Sequence, residues 1–355
     1  MWFGSSYYKY LTGFILLLLA LFLVGKVDYI VVPLLKAVGG VALPLIVALF
    51  IYYLLRPLVR RLNLMGLPRI GAVVLSFLLA MGLLGGFSYL AGSTIASEFN
   101  RLLSDELPGI LSKTNDLVTR ELDAGHLDFL NSTEFISQST NYVQQVATLL
   151  GEGLFSGLLS AVSIVTGLLL SPFVLFYFLK DDRIFVRNFL LLFPEKYRNE
   201  LKQTLRETDE VLSLFITGQA LVSLVVGVLM YVGYRIIGLE YALVLALFSM
   251  VLAIIPFLGP ILGVIPALLV GLSEGLLMVL KVFLTMVVVQ QLEGNFITPQ
   301  IMGKRIHTHP LMIILVILVF GSLFGFVGIL LAVPSYAIIK VILGNIQRIK
   351  EKEIL

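Results

Sequence analysis

The sequence predicts an all-α polytopic membrane protein with about six full transmembrane helices, two broken segments and a small helical extramembrane insert. Three observations predict it. Apolar residues make up 59% of the 355 and charged ones only 13%, about half the share usual in a soluble domain. The mean hydropathy of +1.01 implies that most of the chain meets something other than water. The apolar residues also come in runs near the ~20 needed to cross a hydrocarbon core.

The runs follow in order. Tyr10 to Val24 is apolar and resumes after Lys26 and Asp28, with no small-residue cleavage site behind it, so it reads as a retained anchor. Val38 to Leu55, Ile70 to Ala91, Gly153 to Leu179 and Leu212 to Tyr234 are the next four spans. Tyr241 to Leu272 is longer and is broken by "IIPFLGPILGVIP". Gly275 to Val289 follows, and then Leu311 to Leu343, broken by "GSLFGFVG" and Pro334. Each break has a physical cause. Pro256, Gly259, Pro260, Gly263 and Pro266 cannot form one straight helix, because each proline removes a backbone donor. Gly321, Gly325 and Gly328 let backbones approach closely.

These runs divide the chain. Residues 1–92 carry the first three helices, 93–152 an extracytoplasmic helical insert, and 153–211 the fourth helix with a cytoplasmic amphipathic helix. Residues 212–343 form a core around the two broken segments, and 344–355 a cytoplasmic tail. Charge sets the orientation. Arg56, Arg60, Arg61 and Arg69 fill a short loop without an acidic residue, which places it in the cytoplasm together with the amino terminus. Glu98–Glu152, with three basic and nine acidic residues, falls outside. Lys180–Glu210, with seven of each sign and Leu201, Leu205, Val211 and Leu212 at helical spacing, falls inside. The tail, with Lys340, Arg348, Lys350 and Lys352, is inside as well. If Tyr241–Leu272 crosses the membrane, Glu293–Pro310 lies outside. If it is a re-entrant hairpin, Glu293–Pro310 lies inside and Leu311–Leu343 becomes a second, opposed hairpin. Lys304 and Arg305 favour the hairpins.

Composition excludes several functions. There is no cysteine, so no thiolate metal site, disulfide or cysteine nucleophile exists. A net charge of +3 without a dense basic patch excludes nucleic acid as a partner. No Walker A loop is present, so ATP does not drive the protein directly. The three histidines, His126, His307 and His309, have no metal-ligand spacing to carboxylates, which argues against a membrane enzyme. His126 reads as a surface residue and His309 as a helix-start residue.

The stretch "VVVQQLEGNFITPQIMGKRIHTHP", Val287 to Pro310, closes an apolar run with many polar groups. Gln290, Gln291, Glu293, Asn295 and Thr298 gather where the helix nears its end, with Pro299 marking the stop. Gln290, Glu293 and Gly294 share a face by three-to-four spacing. That face, set toward the breaks at Pro256, Gly259, Pro260, Gly321 and Gly325, is the candidate site for a cation or polar solute. Carbonyls freed by the breaks would supply further ligands. The competing reading is that the polar residues only cap a helix and that the glycines only pack helices.

"IPFLGPILGVIPALLVGL" (Ile255–Leu272), "QQLEGNFITPQIMGKRIHTHPL" (Gln290–Leu311) and "FGSLFGFVGILLAVP" (Phe320–Pro334) resemble the signature blocks of the autoinducer-2 exporter (AI-2E) family. "LLRPLVRRL" (Leu54–Leu62), "SPFVLFYFLKD" (Ser171–Asp181) and the insert after the third span fit the same family. Gln300 stands where an arginine is common, and Ile306–Thr308 replaces a small apolar run. The resemblance implies a prokaryotic cell-membrane transporter. Within the family, one class is associated with export of the signal autoinducer-2 and others with Na⁺(Li⁺)/H⁺ antiport.

The expected function is therefore secondary transport of a small polar solute such as autoinducer-2, coupled to H⁺ or Na⁺, with no resident cofactor. The alternatives are a Na⁺(Li⁺)/H⁺ antiporter and a structural or regulatory membrane protein. The expected partners are the lipid bilayer, a small polar solute or monovalent cation, and a second copy of the chain in a homo-oligomer.

Overall fold

A computed structural model describes residues 11–16, 28–102, 165–303 and 309–354. The described residues are helical apart from short turns, with no strand among them. Much of the first run, the extramembrane insert, the start of the fourth span, and Lys304 and Arg305 lie outside the described residues.

The helices are α1 (Asp28–Leu64), α2 (Arg69–Arg101), α3 (Val165–Leu191), α4 (Glu195–Ile237), α5 (Ala242–Leu252), α6 (Leu258–Glu274), α7 (Leu276–Leu292), α8 (Thr298–Met302) and α9 (Pro310–Ile354). Among the described residues, five stretches are long and apolar enough to cross a membrane: Gly40–Leu64, Arg69–Arg101, Glu195–Ile237, Leu276–Met302 and Val327–Arg348. Four of them carry the second, third, fifth and sixth expected spans. The last is the far arm of the second broken stretch.

Helix α4 is the spine. Its 43 residues reach about 64 Å at 1.5 Å per residue, twice the ~30 Å of a hydrocarbon core. Its polar first turns therefore project beyond the apolar layer. The sequence reading cut the chain at 211/212, yet one helix runs through that point. The amphipathic and apolar patterns share one unbroken set of backbone hydrogen bonds, and only the surroundings change. The apolar half of α4 packs Val222, Val226, Met230 and Tyr234 into one core, with residues of α5, α6 and α7. Its middle packs Leu212, Phe215 and Ile216 into a second core, with Tyr52, Tyr53, Leu175, Leu179, Ile313 and Ile317.

Both broken stretches fold back on themselves. Helices α5 and α6 form a hairpin around the turn Ala253–Phe257. Its two ends meet, since the Glu240 N–H donates to Glu274 Oε1 at 3.2 Å. Helix α5 has 11 residues and α6 has 17, both short of the ~20 that a full crossing needs. The arms touch through small residues. A Cβ on Gly259 would overlap the Leu252 carbonyl oxygen, and one on Gly263 would lie 2.9 Å from Ser249 Cα.

In α9 the helix breaks at Gly325, with φ 60° and ψ −143°. A Cβ on Gly328 would overlap the Phe320 carbonyl oxygen. In a straight helix, eight residues of separation amount to about 12 Å. The contact is a fold-back, which makes arms of Leu311–Gly325 and Val327–Arg348.

The first fold-back decides where Glu293–Gly303 lies. The helical stretch Leu276–Met302 starts beside the base of the first hairpin and leads to Gln300–Gly303. These residues line one cavity with Arg56, Arg60 and Arg61. The polar stretch is therefore at the arginine end of the molecule, as the hairpin alternative requires.

Candidate functional site

The expected helix end at Glu293 is not an end. The helix passes from α7 into a π-helical turn, Glu293–Ile297, and continues as α8 to Met302. Pro299 sits in the first turn of α8, directly after the π turn, and does not stop the helix. The polar residues thus lie within a 27-residue apolar helix, Leu276–Met302. Such π turns inside helices are frequent at functional sites.

The turn pairs the polar side chains two by two. Gln290 Nε2 donates to Glu293 Oε2 at 2.8 Å, and both residues are half-buried. Asn295 Nδ2 donates to Gln291 Oε1 at 2.9 Å, and both are exposed. Thr298 is half-buried and Gly294 exposed. Met302 anchors the end of the segment: a Cβ on Gly218 of α4 would lie 3.0 Å from its Cγ.

The other candidates sit on two further elements. Gly259 and Pro260 are buried in the first hairpin, with Pro256 half-buried in its turn. The carbonyls around this turn have protein partners. Leu252 O accepts from Ile255 N, Ile255 O from Gly259 N, and Pro256 O from Leu258 N. Ala253 O accepts from the buried Gln219 side chain at 2.7 Å. Freed carbonyls were expected to await a solute, but these four are already bonded within the protein. Gly321 packs on Ile329 in the second hairpin, and Gly325 holds the exposed turn. The ten candidates therefore lie in three groups on three separate elements, with the closest side-chain contacts inside the Gln290–Asn295 group.

At the arginine end, residues that the sequence marks only by charge, or not at all, join in pairs. Arg56 forms an ion pair with Asp209, with contacts of 2.8 Å to both carboxylate oxygens, and Tyr53 Oη donates to Oδ1 of the same residue at 3.1 Å. Glu207 accepts from Asn345 at 2.8 Å and from Arg348 at 3.3 Å, which ties α9 to α4. Arg69 pairs with Asp182 and donates to the Leu179 carbonyl, which ties α2 to α3. Partners 153 and 138 residues apart leave no spacing signal to read. As expected for a helix-start residue, His309 caps α9, its Nδ1 accepting from Leu311 N at 3.3 Å.

Between these residues lies an open cavity of about 1890 Å³. The ends of α1 and α9, the polar half of α4 and helix α8 wall it.

Comparison with known proteins gives one reading throughout. Residues 10–348 match the sequence model described as AI-2E family transporter. The chain is 33% identical to YueF, a candidate transport protein of Bacillus subtilis (strain 168), over 94% of this chain and 91% of that one. It is 31% identical to YrrI, a candidate transport protein of the same organism, over 95% of each. It is 27% identical to PerM, a candidate permease of Escherichia coli (strain K12), over 86% of this chain and 87% of that one.

Proposed function

Since the chain belongs to the AI-2E transporter family and is a multi-pass membrane protein, we propose that it is a secondary transporter exporting a small polar solute by alternating access around its two hairpins. The signal autoinducer-2 is the solute the family name suggests. On this reading the protein lies in a prokaryotic cell membrane with Arg60, Arg61 and both termini in the cytoplasm.

The observation that carries the proposal is the half-buried Gln290–Glu293 pair at a π turn inside an apolar helix. A carboxylate within a membrane span is costly, and such residues mark substrate or ion pathways. Paired interrupted helices are the sequence feature that accompanies transporter binding sites near the midplane. Here both interruptions fold back, which gives two elements able to rock against α4. Glu293 would carry the coupling H⁺ or Na⁺, and Gln290, Gln291, Asn295 and Thr298 would offer amide and hydroxyl ligands.

A second reading, Na⁺(Li⁺)/H⁺ antiport, is favoured by one fact. Glu293 is the sole carboxylate between Leu276 and Met302, so a proton-for-cation exchange through this helix would have to use it.

Flux into and out of proteoliposomes tests both. Autoinducer-2, Na⁺, Li⁺ and H⁺ are assayed separately for the native protein, Glu293→Gln and Gln290→Leu. Loss of a hydrogen bond to a charged group, worth about 1.5–3 kcal/mol, predicts at least about tenfold slower flux in each variant. Solute flux without cation exchange supports export, and cation exchange without solute flux supports antiport. Native flux no higher than in empty vesicles refutes transport. Native flux in Glu293→Gln removes this carboxylate from the mechanism.

A further inference from the structure

The cavity at the arginine end carries an inference about ligand chemistry. It is lined by six basic side chains (Arg56, Arg60, Arg61, Arg206, Lys340 and Arg348) and by three carboxylates, Glu207, Asp209 and Glu210. Each carboxylate is already engaged. Asp209 takes Arg56 through two contacts of 2.8 Å, Glu207 takes Arg348 at 3.3 Å, and Glu210 takes Arg206 at 3.2 Å. Of the five arginines, Arg60 and Arg61 remain. Both line the cavity, both are exposed, and neither has a hydrogen bond or ion pair among the described residues.

Orientation alone would explain arginines at a cytoplasmic edge. It does not explain why this pair faces a cavity whose acidic residues are all spoken for. Ile301, Met302 and Tyr336 contribute apolar wall to the same cavity. The uncompensated charge of this recess is positive, and low-dielectric walls focus such a field and concentrate counter-ions. A guanidinium fork matches the oxygens of a phosphate group, which it can bind in bidentate fashion. A bare monovalent cation would be repelled from the same place.

We infer that this cavity is an anion site in which Arg60 and Arg61 hold a phosphate group, carried by a small solute or by a lipid headgroup. The site goes beyond the polar cluster on α7 and rests on the transport reading only for its use. Its binding is measured without flux, so either can fail alone.

The test uses the full chain purified in a neutral detergent and titrated with inorganic phosphate in low-chloride buffer. A second arm compares thermal unfolding in nanodiscs of phosphatidylglycerol and of phosphatidylcholine. The variants are Arg60→Gln with Arg61→Gln, the charge-keeping pair Arg60→Lys with Arg61→Lys, and Lys202→Gln, an exposed control that does not line the cavity. The double glutamine variant is expected to bind phosphate at least about tenfold more weakly. The control is expected to bind as the native protein does, and the lysine pair to recover part of the loss. Phosphate binding with this dependence supports a solute phosphate. Absent phosphate binding, stabilisation by phosphatidylglycerol that disappears in the glutamine pair but persists in the lysine pair supports a headgroup. The inference is overturned if neither phosphate binding nor lipid stabilisation depends on Arg60 and Arg61.

Discussion

In the first hairpin Gly259 lies against the carbonyl of Leu252, and in the second Gly328 lies against that of Phe320. Up to this point the two hairpins use the same device, a glycine that lets one arm touch the backbone of the other. They differ at their tips. The first turn takes five residues, buries Ile255 and receives a hydrogen bond from Gln219 of the spine helix. The second turns at Gly325 alone, leaves Leu323 and Phe324 exposed, and receives no side-chain donor from another helix among the described residues. The second hairpin is tied to the spine near its base, where Asn345 and Arg348 meet Glu207. One hairpin is thus fastened at its tip and the other near its foot. If the two halves of the core move against each other, the second tip is the one free to move.

The largest expected effect tests the shared device. Gly259→Ala and Gly328→Ala each place a methyl group onto a backbone carbonyl, which cannot yield as a flexible side chain does. Overpacking ordinarily costs about 1–3 kcal/mol, and these two sites lie at or above the upper end. Both variants should melt well below the native protein in detergent. If Gly328→Ala melts like the native protein, the second stretch is not a closed hairpin.

Gln219→Leu is expected to act more weakly and on one side only. It leaves the Ala253 carbonyl buried without its donor, a loss of about 1–3 kcal/mol. Amide hydrogen exchange should speed up at residues 253–258 and stay unchanged at residues 321–327. Equal acceleration at both tips would mean that they move as one body and are not fastened differently.

Much of this fold was legible because its causes are local. Pro256, Gly259 and Pro260 mark the first break, and Gly321, Gly325 and Gly328 the second. The charge pattern of Arg56–Arg69 marks the end at which Gln300–Gly303 lies. What stayed hidden depends on distant partners or on backbone detail. Helix α4 reads as two segments because its surroundings change from water to apolar core, while nothing in the backbone does. The π turn at Glu293 has no sequence signature, so its polar run reads as a helix end. The bond from Gln219 to Ala253 has no sequence signal either, since the carbonyl it serves is 34 residues away. The candidate site was legible as residue types and not as an assembly.

The smallest effect concerns how each tip bends its backbone. Gly325 takes its positive φ where glycine does so freely. Phe257 takes φ 64° and ψ −49°, with Leu258 N donating to Pro256 O at 2.8 Å across it. That is a γ-turn of the positive-φ form, rare and strained for a residue with a side chain. Such a conformation costs about 1–3 kcal/mol and persists only where the surroundings impose it. Comparing Phe257→Ala with Phe257→Gly isolates the strain. Both lose the half-exposed ring, and only glycine also relaxes the backbone. Glycine's extra unfolded-state freedom, about 0.5–1 kcal/mol, works against it. The net expectation is that Phe257→Gly is more stable than Phe257→Ala by about 1 kcal/mol. The same pair of residues placed at Gly325 should rank the same way, with native glycine above alanine. If alanine proves the more stable at position 257, the first tip is unstrained. The tips would then differ in their fastening alone.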